Sequence, residues 1–209
     1  LALLMTAPTP DTDRPRSRAQ LWLLIVIFFV PLTVAFVIYY GFDWRPAGTT
    51  NKGDLISPAR PLHTGTLLDP QDQPIEEALF KDKWTLVYIG NGRCDERCRE
   101  ALTLMRQTRL ALNDDMTRVR RVFLATADCC DVEYLEIQHP DLVTARADEQ
   151  SDREFLATFP TFEDVPIETA GRIYIVDPLG NLMMSYSPDA PQKAMLEDLR
   201  KLLKLSHIG

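Results

Sequence analysis

The 209-residue sequence has no Lys/Arg-rich block and no basic stripe, and its net charge is −7. Nucleic acid is held chiefly by clustered basic side chains, so this sequence argues against that class of partner. It has no internal repeat and no low-complexity segment, which excludes a repeat array. Histidine is scarce, with only His63, His139 and His207. Charge is missing altogether from Leu21 to Tyr40, "LWLLIVIFFVPLTVAFVIYY". That run also lacks the polar face that a buried soluble helix of its length would show. A small-residue cleavage site is missing after it, since "YYGFDWR" has no A-x-A-like pattern, which speaks against a cleaved signal peptide.

What remains is a membrane anchor. Twenty residues at about 1.5 Å each reach roughly 30 Å, the thickness of the bilayer's hydrocarbon core. Trp22 lies near one end and Tyr39 and Tyr40 at the other, where interfacial aromatics belong. Pro31 is tolerated in a membrane helix. Arg14, Arg16 and Arg18 precede the span and predict a cytoplasmic N-terminus with an exported body, although Arg45 and Lys52 weaken the contrast. Leu1–Leu4 precede Met5, and Met5 is the expected start. The expected organisation is a cytoplasmic segment over 1–20, a transmembrane helix over 21–40, a tether over 41–64 and a folded domain over 65–209. The tether expectation rests on Pro46, Pro58 and Pro61 and the lack of an apolar period.

The exported part alternates strand and helix signals. "GTLLD", Gly65 to Asp69, reads as a short edge strand. Leu86–Gly90 and "RVFLATA", Arg121 to Ala127, read as strands buried on both faces. Cys98–Asn113 reads as a helix, with Leu102, Met105, Arg109 and Leu112 near one face. "DVEYLEIQ" and "SDREFLATF" read as short helices, the latter with Ser151 as N-cap and Glu154 completing a capping box. "RIYIV" and "LMMSY" flank the turn "DPLGN" as a hairpin, and Ala190–Leu205 is a closing amphipathic helix. Strand–helix–strand with short connections predicts a parallel crossover. The fold class is therefore α/β, a thioredoxin-like sandwich with a mixed sheet, behind one N-terminal transmembrane helix. Roughly 140 residues suffice for one such core.

Four cysteines stand in this frame: Cys94, Cys98, Cys129 and Cys130. In "WTLVYIGNGRCDERC" the first two follow a buried strand where the next helix begins. Open α/β sheets place functional groups at that edge. A helix N-terminus favours the thiolate, and four-residue spacing puts both sulfurs on one face. The pair can form a disulfide or grip a soft ion such as Cu(I). A purely structural staple is the competing reading, and a five-residue loop gains little from it. Export favours paired thiols. Cys129 and Cys130 follow the second strand and are expected at the same edge. There they either exchange with Cys94–Cys98, serve as extra soft ligands, or pack as ordinary half-buried cysteines, since adjacent cysteines seldom bridge each other. Zinc-knuckle spacing is absent. Met183 and Met184 read as strand core rather than copper ligands.

"WTLVYIGNGRCDERC", "VFLATADCCDVEYLEIQHPDLV" and "IYIVDPLGNLMMSY" resemble the Sco/SenC proteins, membrane-anchored thioredoxin-like factors of cytochrome c oxidase assembly. The resemblance is one of pattern and spans roughly 66–205. It implies copper binding by the two cysteines with a distant histidine, and thiol–disulfide chemistry on the oxidase's copper site. Two departures stand out. Asp95 replaces a Pro common after the first cysteine, and "VPIETAGRIY", near Thr169, lacks the ligand histidine. His139 in "QHPDL" falls where the family can carry a histidine that is not the ligand, and it is expected to be structural or on the surface. A peroxidase is set aside, because Asn91 and Val87 occupy its Thr and Pro positions.

The expected protein sits in a bacterial inner membrane with its domain in the periplasm. It acts on a cytochrome c oxidase subunit or another copper-site client by thiol–disulfide exchange. Cys94 is expected to attack, being nearer the strand end and more exposed, with Cys98 resolving. The alternatives are a Cu(I) chaperone using Cys94, Cys98 and Cys129 or Cys130, and a docking factor whose cysteines are a staple.

Overall fold

The computed structural model describes residues 14–41, 50–63, 67–127, 129–147, 152–206 and 208. Helix α1, Arg14–Gly41, is continuous through Pro31. Its stretch Arg18–Gly41 is long and apolar enough to cross a membrane. The described residues fall into two separate compact units, 14–41 and those from Thr50 onward.

The second unit is built on one six-stranded sheet in the order β1-β6-β5-β2-β3-β4. Its strands are β1 (Asp54–Pro61), β2 (Trp84–Gly90), β3 (Val119–Ala125), β4 (Leu142–Arg146), β5 (Ile173–Val176) and β6 (Asn181–Tyr186). β2, β3 and β4 are mutually parallel, while β5 pairs antiparallel with β2 and with β6. Every residue of β2 is buried, as its unbroken apolar run requires of a strand covered on both faces.

Alternation along the strands feeds two cores. Leu86, Tyr88 and Phe123 face one core with α2 (Glu96–Leu110) and α5 (Gln192–Leu205). Val87, Ile89, Val122 and Leu124 face the other, with Phe80, Phe155 and Phe159. Leu102 and Met105 on α2, and Met195, Leu199 and Leu203 on α5, are buried at the predicted helical spacing. Each such side chain contributes about 1.5–3 kcal/mol of burial. Met184 is core and Met183 packs against it, as read from the sequence. Short helices α3 (Val132–Gln138) and α4 (Arg153–Leu156) fall in the two predicted segments, while Ser151 lies outside the described residues.

Two sequence expectations need correction. The tether does not extend to Thr64, because Asp54–Pro61 is the edge strand β1, paired antiparallel with β6. Pro58 and Pro61 lack an amide donor but are admissible on an edge, and the β1–β6 register shifts between Leu55 and Arg60. "GTLLD" contributes only an isolated bridge at Leu68, to Pro74 and Arg146, while Gly65 and Thr66 lie outside the described residues.

Asp198 of α5 fastens β1 to the rest. Its Oδ2 accepts from the amides of Lys52 (2.6 Å) and Gly53 (3.1 Å) and from the Tyr186 hydroxyl (2.9 Å). Gly53 fits because a Cβ there would lie 2.7 Å from the Tyr186 ring and 2.9 Å from the Ser185 carbonyl.

Candidate functional site

β2 and β3 end side by side, and the loops that follow them are hydrogen-bonded together. The Thr126 amide donates to the Gly90 carbonyl (3.0 Å), the Gly92 amide to Ala127 (2.7 Å) and the Asp131 amide to Gly92 (3.1 Å). The first loop carries Cys94 and leads into α2; the second carries Cys129 and Cys130 and leads into α3. All four cysteines are thus brought to the carboxyl edge of the parallel strands, as their positions in the sequence predict.

Cys94 and Cys98 form a disulfide with a Cα–Cα separation of 5.0 Å. Cys94 has φ +50°, a left-handed conformation that costs a non-glycine residue on the order of 1–3 kcal/mol. Its backbone is held on both sides. Its amide donates to the Asn91 carbonyl (3.0 Å), and its carbonyl accepts from Arg99 Nε (3.2 Å). Asp95, which departs from the family's Pro, is the N-cap of α2, its Oδ1 accepting from the Cys98 amide at 3.0 Å. Such a cap stabilises a helix by about 1 kcal/mol.

The expected difference in exposure is not found. Cys94 is 1% exposed and Cys98 2%. Of the two, Cys98 lines a cleft of about 670 Å³, together with Tyr88, Asn91, Asp95, Arg97, Glu168 and Thr169. Cys94, in its left-handed conformation, immediately precedes the N-cap of α2, and its side chain is buried. Burial, reinforced by the Asp95 carboxylate and offset by Arg97, pushes the Tyr88 phenol up to about 12. Tyr88 therefore stays a neutral hydroxyl in the physiological range.

Thr169, where the resemblance places the ligand histidine, lines this same cleft. Its carbonyl accepts from Arg97 Nη1 at 3.2 Å, and its hydroxyl bonds the Pro166 carbonyl at 3.2 Å. Gly171, at φ +63°, lets the loop lie against Arg97, where a Cβ would come within 2.8 Å of Cδ. Among the described residues, no histidine lines the cleft. His139 is 3% exposed and sits between Arg121 Nη1 (3.4 Å from Nδ1) and the Tyr134 hydroxyl (3.3 Å from Nε2). Arginine only donates, so Nδ1 accepts and the proton is on Nε2. Burial, with Arg121 and Arg106 adding repulsion, pushes His139 down to about 4, so it is a neutral structural group. His63 is exposed just beyond β1, and His207 lies outside the described residues.

Cys129 and Cys130 are joined to each other, which differs from the expectation that neighbours seldom bridge. Both are half-buried and pack against the core cluster that contains Cys94 and Cys98. Among the described residues no group of three or more His, Cys, Asp or Glu is arranged to hold a metal ion. The cysteine sulfurs suit Cu(I) by softness.

The sequence pointed to the stretch near Thr169 but did not single out Tyr88, Arg97 or Arg99. The available signal was the two-residue offset of the arginines, which places them about 200° apart around a helix. Arg97 reaches the Thr169 loop, while Arg99 reaches Cys94, Asp131 (3.5 Å) and the face of Tyr134 (4.5 Å).

These features define a thioredoxin-like dithiol protein carried behind an apolar N-terminal helix. The chain belongs to the family described as transmembrane-like, thioredoxin-like, C-terminal domain, whose model matches residues 84–206. No curated protein matches it. Among solved structures it is similar to apo Sco1 from Thermus thermophilus, at 22% identity and a TM-score of 0.59, over 75% of this chain and 99% of that one. Copper-bound yeast Sco1 is similar at 18% identity and a TM-score of 0.55, over 76% and 96% of the two chains. BsSco, a Sco-family cytochrome c oxidase assembly protein with a disulfide switch, is similar at 15% identity and a TM-score of 0.53, over 73% and 99%. The thioredoxin-like fold is the one found in these Sco proteins.

Proposed function

We propose that the protein is a membrane-anchored thioredoxin-like factor that assists cytochrome c oxidase assembly by thiol–disulfide exchange at a copper-site client. The observation that carries this reading is Cys98, in the first turn of α2, lining a cleft while bonded to Cys94. Residues 21–40 anchor the protein in a bacterial inner membrane, with the N-terminus cytoplasmic and the domain periplasmic. The arginines before the span support that orientation. The folded domain begins with β1.

In the reduced protein the Cys98 thiolate attacks a client disulfide, since Cys98 and not Cys94 borders the cleft. A mixed disulfide forms and one client thiolate leaves. Cys94 then attacks the Cys98 sulfur, releasing the second client thiolate and restoring Cys94–Cys98. The client gains two electrons. The N-terminal amides of α2 favour the Cys98 thiolate, and Asp95 opposes it. Tyr88 offers a neutral hydroxyl in the same cleft.

Copper delivery is the second reading, supported by the fold shared with copper-bound yeast Sco1 and by the softness of two thiolates. One pair of measurements separates the readings. An exchanging pair has a reduction potential above about −300 mV, whereas a structural staple lies below it. A chaperone binds one Cu(I) per reduced chain against a competing chelator, and a Cys94→Ser/Cys98→Ser protein loses that binding. A potential below the threshold together with no copper binding overturns both readings and leaves a docking factor.

A further inference from the structure

The Cys129–Cys130 pair has no part in the exchange just described, yet it occupies the same edge of the sheet. Its loop is hydrogen-bonded to the Cys94 loop through Gly90, Gly92, Ala127 and Asp131. Arg99 spans the two, donating to the Cys94 carbonyl and pairing with Asp131. Exposure separates the pairs. Cys94 and Cys98 are 1% and 2% exposed, whereas Cys129 and Cys130 are only half-buried. The client cleft lies on the Arg97 flank of α2, and Cys129–Cys130 follows β3 on the Arg99 flank.

We infer that Cys129–Cys130 is a second redox pair, the entry point through which an external protein dithiol re-reduces Cys94–Cys98. The inference rests on the exchange reading above. A donor thiolate attacks one sulfur of Cys129–Cys130, and the donor's second thiol resolves the mixed disulfide. The donor leaves as a disulfide, and Cys129 and Cys130 are left as thiols. One of them, as thiolate, attacks the Cys94–Cys98 bond, and its neighbour resolves the cross-linked intermediate. Cys129–Cys130 is a disulfide again, Cys94 and Cys98 are thiols, and two electrons and two protons have moved inward. Arg99 brings positive charge to this flank, offset in part by its pairing with Asp131. The arrangement gives the buried pair two separate approaches, donor on one side and client on the other.

The test uses the full chain in detergent micelles and four variants, Cys94→Ser, Cys98→Ser, Cys129→Ser and Cys130→Ser. Each is treated with limiting dithiothreitol, quenched with alkylating agent and digested without reduction for mass spectrometry. The expected result is a trapped peptide joining one cysteine of each pair in at least one variant. In addition, removing both Cys129 and Cys130 slows reduction of Cys94–Cys98 by reduced thioredoxin by about tenfold or more, because the buried bond loses its accessible intermediary. No cross-pair peptide in any variant, with Cys94–Cys98 still cycling in glutathione buffers, overturns the relay alone. A Cys94–Cys98 bond that never cycles overturns the relay and the exchange reading together.

Discussion

Asp198 on α5 and Arg121 on β3 are both almost completely buried, and each gathers polar groups around it, but they tie together different elements. Asp198 accepts from Lys52, Gly53 and Tyr186, joining α5 to β1 and β6. Arg121 donates to Asp141, to the Leu102 carbonyl and to His139. From His139 the contacts continue through Tyr134 to Arg99, and so to Asp131 and Cys94. One cluster fastens the edge strand. The other runs into the loops that carry the thiols. Polar burial therefore has two uses in this domain, and stability and redox behaviour should respond differently when each is broken.

The largest effect is expected at Asp198. Asp198→Ala removes the acceptor shared by the Lys52 and Gly53 amides and the Tyr186 hydroxyl, leaving that hydroxyl only Met184 Sδ, which costs about 4 kcal/mol at about 1–3 kcal/mol for each group left unsatisfied. Urea unfolding measures it. The Cys94–Cys98 potential should stay at its wild-type value, and a shifted potential would erase the distinction between the clusters.

Acid should act on the other cluster. His139 titrates near 4 when folded, against about 6.5 when unfolded. The unfolded chain binds the extra proton between those values, so stability falls as pH drops through that window. The contribution is fully present above about 6.5 and amounts to about 3 kcal/mol at 1.36 kcal/mol per pKa unit. His139→Gln should flatten that part of the stability–pH curve. An unchanged slope would show that His139 is not the group responsible.

Breaking the disulfide itself ranks third. Cys94→Ser/Cys98→Ser should cost only about 2 kcal/mol, because the closed loop is short, while abolishing exchange outright. A loss as large as that for Asp198→Ala would favour the staple.

Elements of this domain differ in the signal they leave in the sequence. β2, β3, the hairpin and α5 were legible because their apolar periods are unbroken and turn residues bound them. β1 was not, because two prolines in eight residues look like a tether until an edge position makes them admissible. β4 is a five-residue strand with only one fully buried position, too short for a period to show. The placement of the cysteines at a strand–helix junction was legible. Their burial was not, since the left-handed turn at Cys94 depends on partners brought by Asn91 and Arg99. Cys129 and Cys130 could be placed at the edge but not paired.

Asp95 sharpens the comparison most finely, because it serves helix and thiol at once. Read from the sequence it was a departure from a family pattern; in the fold it caps α2 by accepting from the Cys98 amide. Its carboxylate also lies beside the thiol that borders the cleft, where negative charge disfavours a thiolate. Asp95→Asn keeps the capping oxygen and removes the charge. Stability should change by no more than about 0.5 kcal/mol, since Asn caps nearly as well as Asp. Alkylation of reduced Cys98 by iodoacetamide should nevertheless quicken several-fold at neutral pH, with its midpoint moved to lower pH. An unchanged midpoint with lost stability would make Asp95 a cap and nothing more. The several-fold gain at constant stability would show that this site holds its thiolate back through the same side chain that builds the helix beneath it.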